Sequence, residues 1–149
     1  MARMAALPVP LRSIALCAAA ASLALAGCEG GRGGDAVLTV GESLYTEGGL
    51  LGTSTYTLNG TNLVVAVDTL ETTRDDVVAL NASQVEDIWS LAEQALEQYD
   101  GPNPCPDSTM VSVMVVEAGQ ETDAATFFPD CNEEPHADVL LAAVVEAAR

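Results

Sequence analysis

Hydrophobic and polar positions alternate along much of the chain after residue 35, which is typical of strands that bury one face. The dipeptide Asn59-Gly60 favours a tight hairpin turn, because both residues tolerate positive φ. A turn there pairs Tyr56 with Leu63 and places the apolar residues of both strands on one face. Strands are predicted over 36–40, 54–58, 63–67, 72–80, 110–116 and 122–128, with a glycine-rich break after the first.

Two other stretches repeat their apolar residues every three or four positions, which predicts helices over 83–99 and about 135–148. The first begins with an S-x-x-E capping box at residues 83–86. Trp89 lies on its apolar face and is interpreted as a core residue rather than a binding aromatic. The element order predicts an α+β fold, with a small antiparallel sheet of five to six strands in two hairpins and two helices packed on one face.

One long apolar run lies outside this pattern, at the N-terminus. Two arginines precede an apolar stretch at 13–24, which has the length of an export-signal core and is too short for a comfortable membrane span. The sequence LAGC at 25–28 then resembles the lipobox of bacterial lipoproteins. That resemblance implies removal of a signal peptide, residues 1–27, and lipidation of Cys28 with acyl chains such as palmitate. An ordinary secretory signal is the alternative.

The residues after the lipobox divide into a linker and a single domain. Residues 28–35 comprise the lipidated cysteine and a glycine-rich tether, and residues 36–149 form the α+β domain. The protein is therefore expected in the cell envelope, attached to the membrane through the lipid on Cys28. In a Gram-negative cell, Glu29 in place of aspartate favours the outer membrane.

Charge narrows the choice of partners. The chain has 22 acidic residues, five arginines and no lysine, for a formal net charge of −17, and every acid lies at Glu29 or later. Such a surface repels nucleic acid phosphates and anionic lipid headgroups, so neither is an expected partner of the domain. Solubility in a salty medium explains the charge, and a basic partner or loosely held divalent cations are the alternatives.

The four cysteines have three different expected fates. Cys17 lies inside the signal and is discarded, and Cys28 carries the lipid. Cys105 precedes one strand of the second hairpin and Cys131 follows the other, so both lie at its open end. Since export leads to an oxidising compartment, a Cys105–Cys131 disulfide is predicted.

Catalytic chemistry finds little support in the sequence. The acidic loop 129–138 with His136 lacks the spacing of a zinc or calcium site, so no metal or cofactor is expected. The chain has no G-x-S-x-G motif and no lysine, and its glycine-rich segment joins strands instead of opening a helix. We therefore expect no enzyme, and an uncharacterised hydrolase using His136 is the third hypothesis.

The stretch TEGGLLGTSTYTLNG, together with the element order, resembles the small emfourin-type proteins. Gly48, Gly49 and Gly52 match the family's Gly-Gly-aromatic-x-Gly segment, and Leu50 stands where an aromatic is usual. Because that family inhibits thermolysin-like metalloproteases, the resemblance implies a secreted or envelope protease as partner. The implied interaction loop comprises Glu47, Gly48, Gly49, Leu50, Leu51 and Gly52.

These observations predict a monomeric, membrane-anchored envelope lipoprotein with a small acidic protein-binding domain, for which the resemblance implies protease inhibition. The alternative is a passive structural or acidic lipoprotein without a specific ligand.

Overall fold

A computed structural model describes residues 35–105 and 107–149. The predicted signal peptide, the lipobox with Cys28 and nearly all of the tether lie outside the described residues.

Six strands and two helices form an α+β fold, as predicted. In chain order the elements are β1 (Ala36–Thr46), β2 (Gly49–Asn59), β3 (Asn62–Thr69), β4 (Thr73–Ala79), α1 (Ala82–Glu97), β5 (Met110–Glu117), β6 (Gln120–Phe127) and α2 (Pro135–Ala147). The strands form one open antiparallel sheet in the order β4-β3-β2-β1-β5-β6. The first four strands form a meander and the last two a separate hairpin, which pairs with β1 through β5.

A hairpin of β1 and β2 replaces the break that was predicted after the first strand. The glycine-rich segment was expected to break the chain, but β1 continues to Thr46 and β2 starts at Gly49, so only Glu47 and Gly48 separate them. Each of the two strands has eleven residues. The hairpin therefore extends past Ser43, the β1 residue that pairs with the first residue of β5. Ladder hydrogen bonds to the neighbouring strand outweigh the low strand propensity of glycine here.

The register of the β2–β3 hairpin differs from the prediction by two residues. Asn59 pairs with Asn62 and Tyr56 with Val65, so the predicted pairing of Tyr56 with Leu63 is wrong. Gly60, at a φ of 57°, takes the first central position of the turn and leaves Asn59 as the last residue of β2. An even shift keeps every side chain on its predicted face.

Helix α1 begins earlier than predicted, because Asn81 is its N-cap. The Asn81 side chain accepts a hydrogen bond from the Gln84 amide, and Gln84 Oε1 accepts one from the Asn81 amide, each at 3.0 Å. This capping box replaces the one predicted at residues 83–86. Helix α2 starts at Pro135, as predicted.

Both helices pack against the same face of the sheet and contribute to one hydrophobic core. We call this the covered face. Trp89 is partly buried against this core, in agreement with its interpretation as a packing residue. The fully or nearly fully buried side chains include Leu38, Val40, Leu58, Leu63, Val65, Ile88, Ala92, Val111, Val113, Val115, Leu140 and Val144.

The other side of the sheet, which we call the open face, has no helix on it among the described residues. Its two central strands carry only small or uncharged side chains at the alternate positions, and acids occur only towards its periphery, at Asp68, Asp75 and Glu121. By strand, its residues are 73, 75, 77 and 79; 62, 64, 66 and 68; 53, 55, 57 and 59; 37, 39, 41 and 43; 110, 112, 114 and 116; and 121, 124 and 126.

Candidate functional site

The predicted interaction loop, residues 47–52, lies at the turn between β1 and β2 and at the start of β2. Glu47 and Gly48 form the turn itself. Leu50 and Leu51 are 52% and 38% exposed, although leucine is among the residues most often found inside proteins. The loop therefore presents large apolar side chains to solvent.

A bulge shapes this hairpin end. Leu44 pairs with Gly52, whereas Tyr45 pairs with Leu50, so Leu51 is the extra residue of β2. Tyr45 is 40% exposed. Since a bulge increases the local twist and redirects side chains, it accounts for three exposed apolar residues so close together.

A second turn lies beside the first and adds a fourth apolar residue. The Leu70 amide donates a hydrogen bond to the Leu51 carbonyl at 3.3 Å, and the Leu70 side chain is 81% exposed. We call Tyr45, Leu50, Leu51 and Leu70 the apolar tip. Sequence reasoning missed Tyr45 and Leu70, because their proximity to the loop depends on the pairing of β2 with β1 and with β3.

The turn that carries Leu70 is held by its own hydrogen bonds. The Thr69 amide donates to the Thr72 carbonyl at 2.8 Å, and Thr69 Oγ1 accepts from the amides of Thr72 at 3.0 Å and Glu71 at 3.4 Å. The exposure of Leu70 thus belongs to an ordered turn rather than to a loose strand end.

Gly52 is needed for the two turns to approach. A Cβ atom at this position would lie 2.8 Å from Thr69 Cα and 2.9 Å from the Asp68 carbonyl oxygen, both backbone atoms. Of the residues in the predicted loop, Gly52 therefore acts through close packing, whereas Leu50 and Leu51 supply exposed surface.

The apolar tip and the start of β1 lie at opposite ends of the sheet. Ala36 is the first residue of β1, and the tip begins at Tyr45 near the end of the same strand. With a rise of about 3.3 Å per residue, the strand separates its two ends by roughly 33 Å.

The cysteine pair lies at the tip end of the sheet. Met110, the first residue of β5, pairs with Ser43, so the segment before β5 is at the same end as Tyr45. Cys105 and Cys131 are at disulfide distance, with Cα atoms 6.4 Å apart, as the predicted disulfide requires. The loops they join are also connected by Asn103, whose Nδ2 donates to Asn132 Oδ1 at 2.6 Å.

The acidic loop 129–138 supports structure at this end. Asp130 accepts a hydrogen bond from the Thr109 amide, and Glu134 Oε2 accepts one from the Phe128 amide at 2.7 Å. A polar cavity of about 250 Å³ lies beside the loop, lined in part by Asp100, Glu133 and His136. Within residues 35–105 and 107–149, no cluster of three or more His, Cys, Asp or Glu side chains is arranged for a metal ion.

Both turns at the tip end carry an acidic residue, since Glu47 and Glu71 flank the apolar tip. Arg74, the second residue of β4, lies at the same end of the sheet and is paired with Asp76. The ionised groups near the tip are therefore mostly acidic, with one arginine among them.

Glu42 is the one carboxylate in a central strand of the covered face. It pairs with Ser54 on β2 and with Val111 on β5. Burial raises its pKa above the ordinary value for glutamate, and the nearby charge of Asp130 raises it further. The Glu42 carboxylate therefore titrates within the packed covered face, near the tip end of β1.

Comparisons with known proteins do not assign the chain to a family. No known protein family matches its sequence, and no curated protein matches it either. Neither helix in the described ranges is long and apolar enough to cross a membrane.

Proposed function

We propose that the protein is an envelope lipoprotein, anchored through Cys28, whose acidic domain binds another protein with its apolar tip. The observation that carries this proposal is the exposed cluster of Tyr45, Leu50, Leu51 and Leu70 on an ordered hairpin end. Contiguous exposed apolar surface on a small soluble domain is typical of an interaction site.

The position of the tip supports a partner beyond the anchoring membrane. A lipid on Cys28 would attach the domain near Ala36, and β1 would hold the tip roughly 33 Å further out, by its rise per residue. Glu47 and Glu71 beside the tip would also repel anionic headgroups. A protein surface with an apolar recess and basic groups around it fits this tip better than a bilayer does.

A secreted or envelope metalloprotease is the partner class that we favour. The resemblance to emfourin-type inhibitors rests on residues 46–60, and the exposed leucines at 50 and 51 fall within that segment. An inhibitor that inserts an exposed hairpin end into a protease cleft needs a rigid scaffold behind it, because preorganisation reduces the cost of binding. The paired β1 and β2 strands would serve as that scaffold.

Metabolic labelling tests the anchor. Full-length chain made in a bacterial host should incorporate labelled palmitate and fractionate with membranes, and Cys28→Ala should lose both properties. Release of the wild-type chain into the soluble fraction without label would refute lipidation and favour an ordinary secretory signal.

Binding at the tip is tested with a matched pair of variants. Leu50→Asp with Leu51→Asp removes apolar surface at the tip, whereas Val139→Asp makes the same change at a residue of α2 that is 51% exposed. We expect inhibition of a thermolysin-like protease by the wild-type and Val139→Asp chains, and at least about a tenfold loss in the tip variant, equivalent to about 1.4 kcal/mol.

A photoreactive amino acid at position 50 extends the test to native partners. In envelopes it should cross-link to one protein species at low and moderate salt, while the same probe at position 139 should not. Absence of any tip-dependent cross-link, together with no protease inhibition, would overturn the binding proposal and leave the passive acidic lipoprotein.

A further inference from the structure

We propose that β6 is a docking edge, at which an extended basic segment of a partner protein adds a further strand to the sheet. Two features carry the proposal. The edge of β6 offers unpaired backbone groups, and an acidic groove beside it selects lysine or arginine side chains. This surface is distinct from the apolar tip and does not depend on an anchor at Cys28.

The outer side of β6 has free backbone groups, because within the described residues its only strand neighbour is β5. Thr122 Oγ1 donates to the Val115 carbonyl at 3.4 Å, so Val115 directs its carbonyl toward β6. Alternate residues of a strand repeat this direction, and the residue two positions earlier on β5 therefore bonds with Ala125, its partner in the register. The amides and carbonyls of Ala124 and Thr126 then point outward, where an added strand would bind them.

The opposite edge strand, β4, is protected against such pairing. The Val77 amide is bonded to Asp76 Oδ1 at 2.8 Å, so it points away from β3 and is already occupied. Arg74 on the same strand reaches the Ala148 carbonyl after α2 at 2.9 Å. Charged side chains and a covered edge are common means by which proteins prevent strand addition. On β6, by contrast, residues 124–126 are two alanines and a threonine, without charge or proline.

A groove beside β6 supplies the charge that selects a partner. It has a volume of about 390 Å³, lies between β6 and α1, and is lined by Glu93, Leu96, Glu97 and Asp123. Both glutamates lie in the last two turns of α1, where the helix dipole favours cations, yet the last turn of α1 contains no basic residue. Negative potential is therefore concentrated next to the unpaired edge.

An extended segment with basic residues at alternate positions fits both features. Asp123 is on the covered-face side of β6, because it pairs with the buried Val115. Alternate side chains of an added strand would point to that same side, where lysine or arginine would meet Asp123 and Glu97. The intervening side chains would lie beside Ala124 and Thr126, which are small. A second copy of this chain does not fit, since its own β6 would bring like charges together.

Amide hydrogen exchange with a synthetic peptide tests the docking mode. The probe is a short peptide in which lysine and threonine alternate, added to the purified full-length chain in mild detergent. Bound peptide should slow exchange of the Ala124 and Thr126 amides and leave the Val77 amide unchanged. A control peptide with glutamate in place of lysine should not bind. Absence of binding, equal binding of the control peptide, or binding without protection at 124 and 126 would overturn the proposal.

Proline substitution tests the role of the strand edge. Thr126→Pro removes an outward amide and no bond to β5, and proline is compatible with such an edge position. Asp75→Pro is the matched control, because Asp75 alternates with Val77 and its amide points outward from β4. Titration with the labelled lysine–threonine peptide should show at least about a tenfold loss of affinity in Thr126→Pro and no loss in Asp75→Pro. Unchanged affinity in a folded Thr126→Pro chain would refute strand addition.

Charge-neutralising variants test the groove and do not require a change to the backbone. Glu97→Gln with Asp123→Asn should weaken peptide binding several-fold and reduce its dependence on salt, because the screened charges are gone. Glu86→Gln with Asp87→Asn removes the same charge from exposed positions near the other end of α1 and should have little effect. Equal losses in both double variants would mean that overall charge attracts the peptide, which would refute the groove. These measurements decide the proposal even if Thr126→Pro does not fold.

The apolar tip separates this inference from the proposed function. Leu50→Asp with Leu51→Asp should bind the peptide no more weakly than the wild-type chain does, because β6 is unchanged. A lipidated, inhibitory chain that does not bind the peptide would refute only the docking edge. A chain that binds the peptide at β6 without lipid or inhibition would refute only the proposed function.

Discussion

The two faces of the sheet arise from the same alternating sequence pattern, but the helices cover only one of them. On the covered face, leucine, valine and phenylalanine are almost fully buried beneath the helices. On the open face, the neighbouring residues are mainly threonine, serine, asparagine, alanine and glycine, with half-buried methionines at 110 and 114 and exposed valines at 64 and 77. Alternation alone cannot distinguish a face buried by the chain itself from one available to another molecule, but residue size and exposure can.

Substitutions at two adjacent residues of β3, one on each face, should differ most in how much they lower the free energy of unfolding. Leu63 is fully buried, whereas Val64 is 43% exposed. Leu63→Ala should lower the free energy of unfolding by about 3–4 kcal/mol through lost burial and a new cavity, and Val64→Ala by less than about 1 kcal/mol. Urea denaturation of both variants checks this; similar losses would mean that the open face is already covered in the isolated protein.

The helical layer over the covered face should depend strongly on its disulfide. Cys105 and Cys131 join the segment after α1 to the segment before α2, with a separation of 26 residues. Cys105→Ala with Cys131→Ala should lower the free energy of unfolding by about 3 kcal/mol in the chain-entropy description.

Thermal unfolding with and without a thiol reductant checks the disulfide prediction. Reductant should lower the melting temperature of the wild-type chain and leave the double variant unchanged. If the wild-type chain keeps its melting temperature after it has been unfolded and refolded in reductant, the disulfide does not stabilise the domain.

A single arginine connects the edge of the sheet to the helical layer. Arg74 on β4 donates to the Ala148 carbonyl at 2.9 Å, just after α2, and also to Asp76 Oδ2 at 2.9 Å. This second bond, with help from the Val77 amide, lowers the pKa of Asp76. Arg74→Ala should cost about 1 kcal/mol of stability, since an orphan helix carbonyl loses its donor.

Arg149 provides the control for this prediction. Its pair with Glu146 is largely exposed, so Arg149→Ala should change stability by only a few tenths of a kcal/mol. Calorimetry on both variants compares their melting temperatures. Equal melting temperatures would mean that the Arg74 link between β4 and the end of α2 adds no stability beyond that of an exposed ion pair.

The smallest expected effect concerns the carboxylate on the covered face. Because the folded pKa of Glu42 is raised, the folded state binds its proton more tightly than the unfolded state does. Its contribution is therefore most favourable below the ordinary glutamate pKa and is lost as pH rises through the raised value. Glu42→Gln should stabilise the domain at neutral pH by at most about 1 kcal/mol, since the group is partly hydrated.

Denaturation across the acidic to neutral range checks the sign of the Glu42 effect. The gain from Glu42→Gln should shrink toward zero as pH falls below the ordinary glutamate range. A gain from Glu42→Gln that stays the same across this pH range would show that it does not come from the titration of Glu42.

Local patterns predicted most of the elements but fewer of their ends. The N-cap of α1 is Asn81 instead of the predicted Ser83. Both side chains can cap a helix, but it is the Asn81–Gln84 pair that hydrogen-bonds the first turn where the chain leaves β4. The turn moved by one residue, from Asn59-Gly60 to Gly60-Thr61, which shifts the strand pairing by two; several registers keep the same face buried. The cysteine pairing was predictable because both residues flank one hairpin.

The apolar tip was only half predictable. Leu50 and Leu51 lie within a segment that a family resemblance singled out, but Tyr45 and Leu70 join them through a bulge and a hydrogen bond between neighbouring turns. Such contacts depend on strand pairing and not on a local period. Which face of the sheet stays open could likewise not be predicted, because it depends on where both helices pack.

By itself, the sequence determined the fold class, the shared face of the alternating apolar strand residues, the cysteine pair and the acidic character of the domain, because all four follow from local periodicity, spacing and composition. Tertiary structure decided the strand order, the gathering of four apolar residues at one end, and the choice of which face the helices cover. These features are non-local: they arise when strands distant in sequence pair, and when helices take one of two faces that alternation alone leaves nearly equivalent.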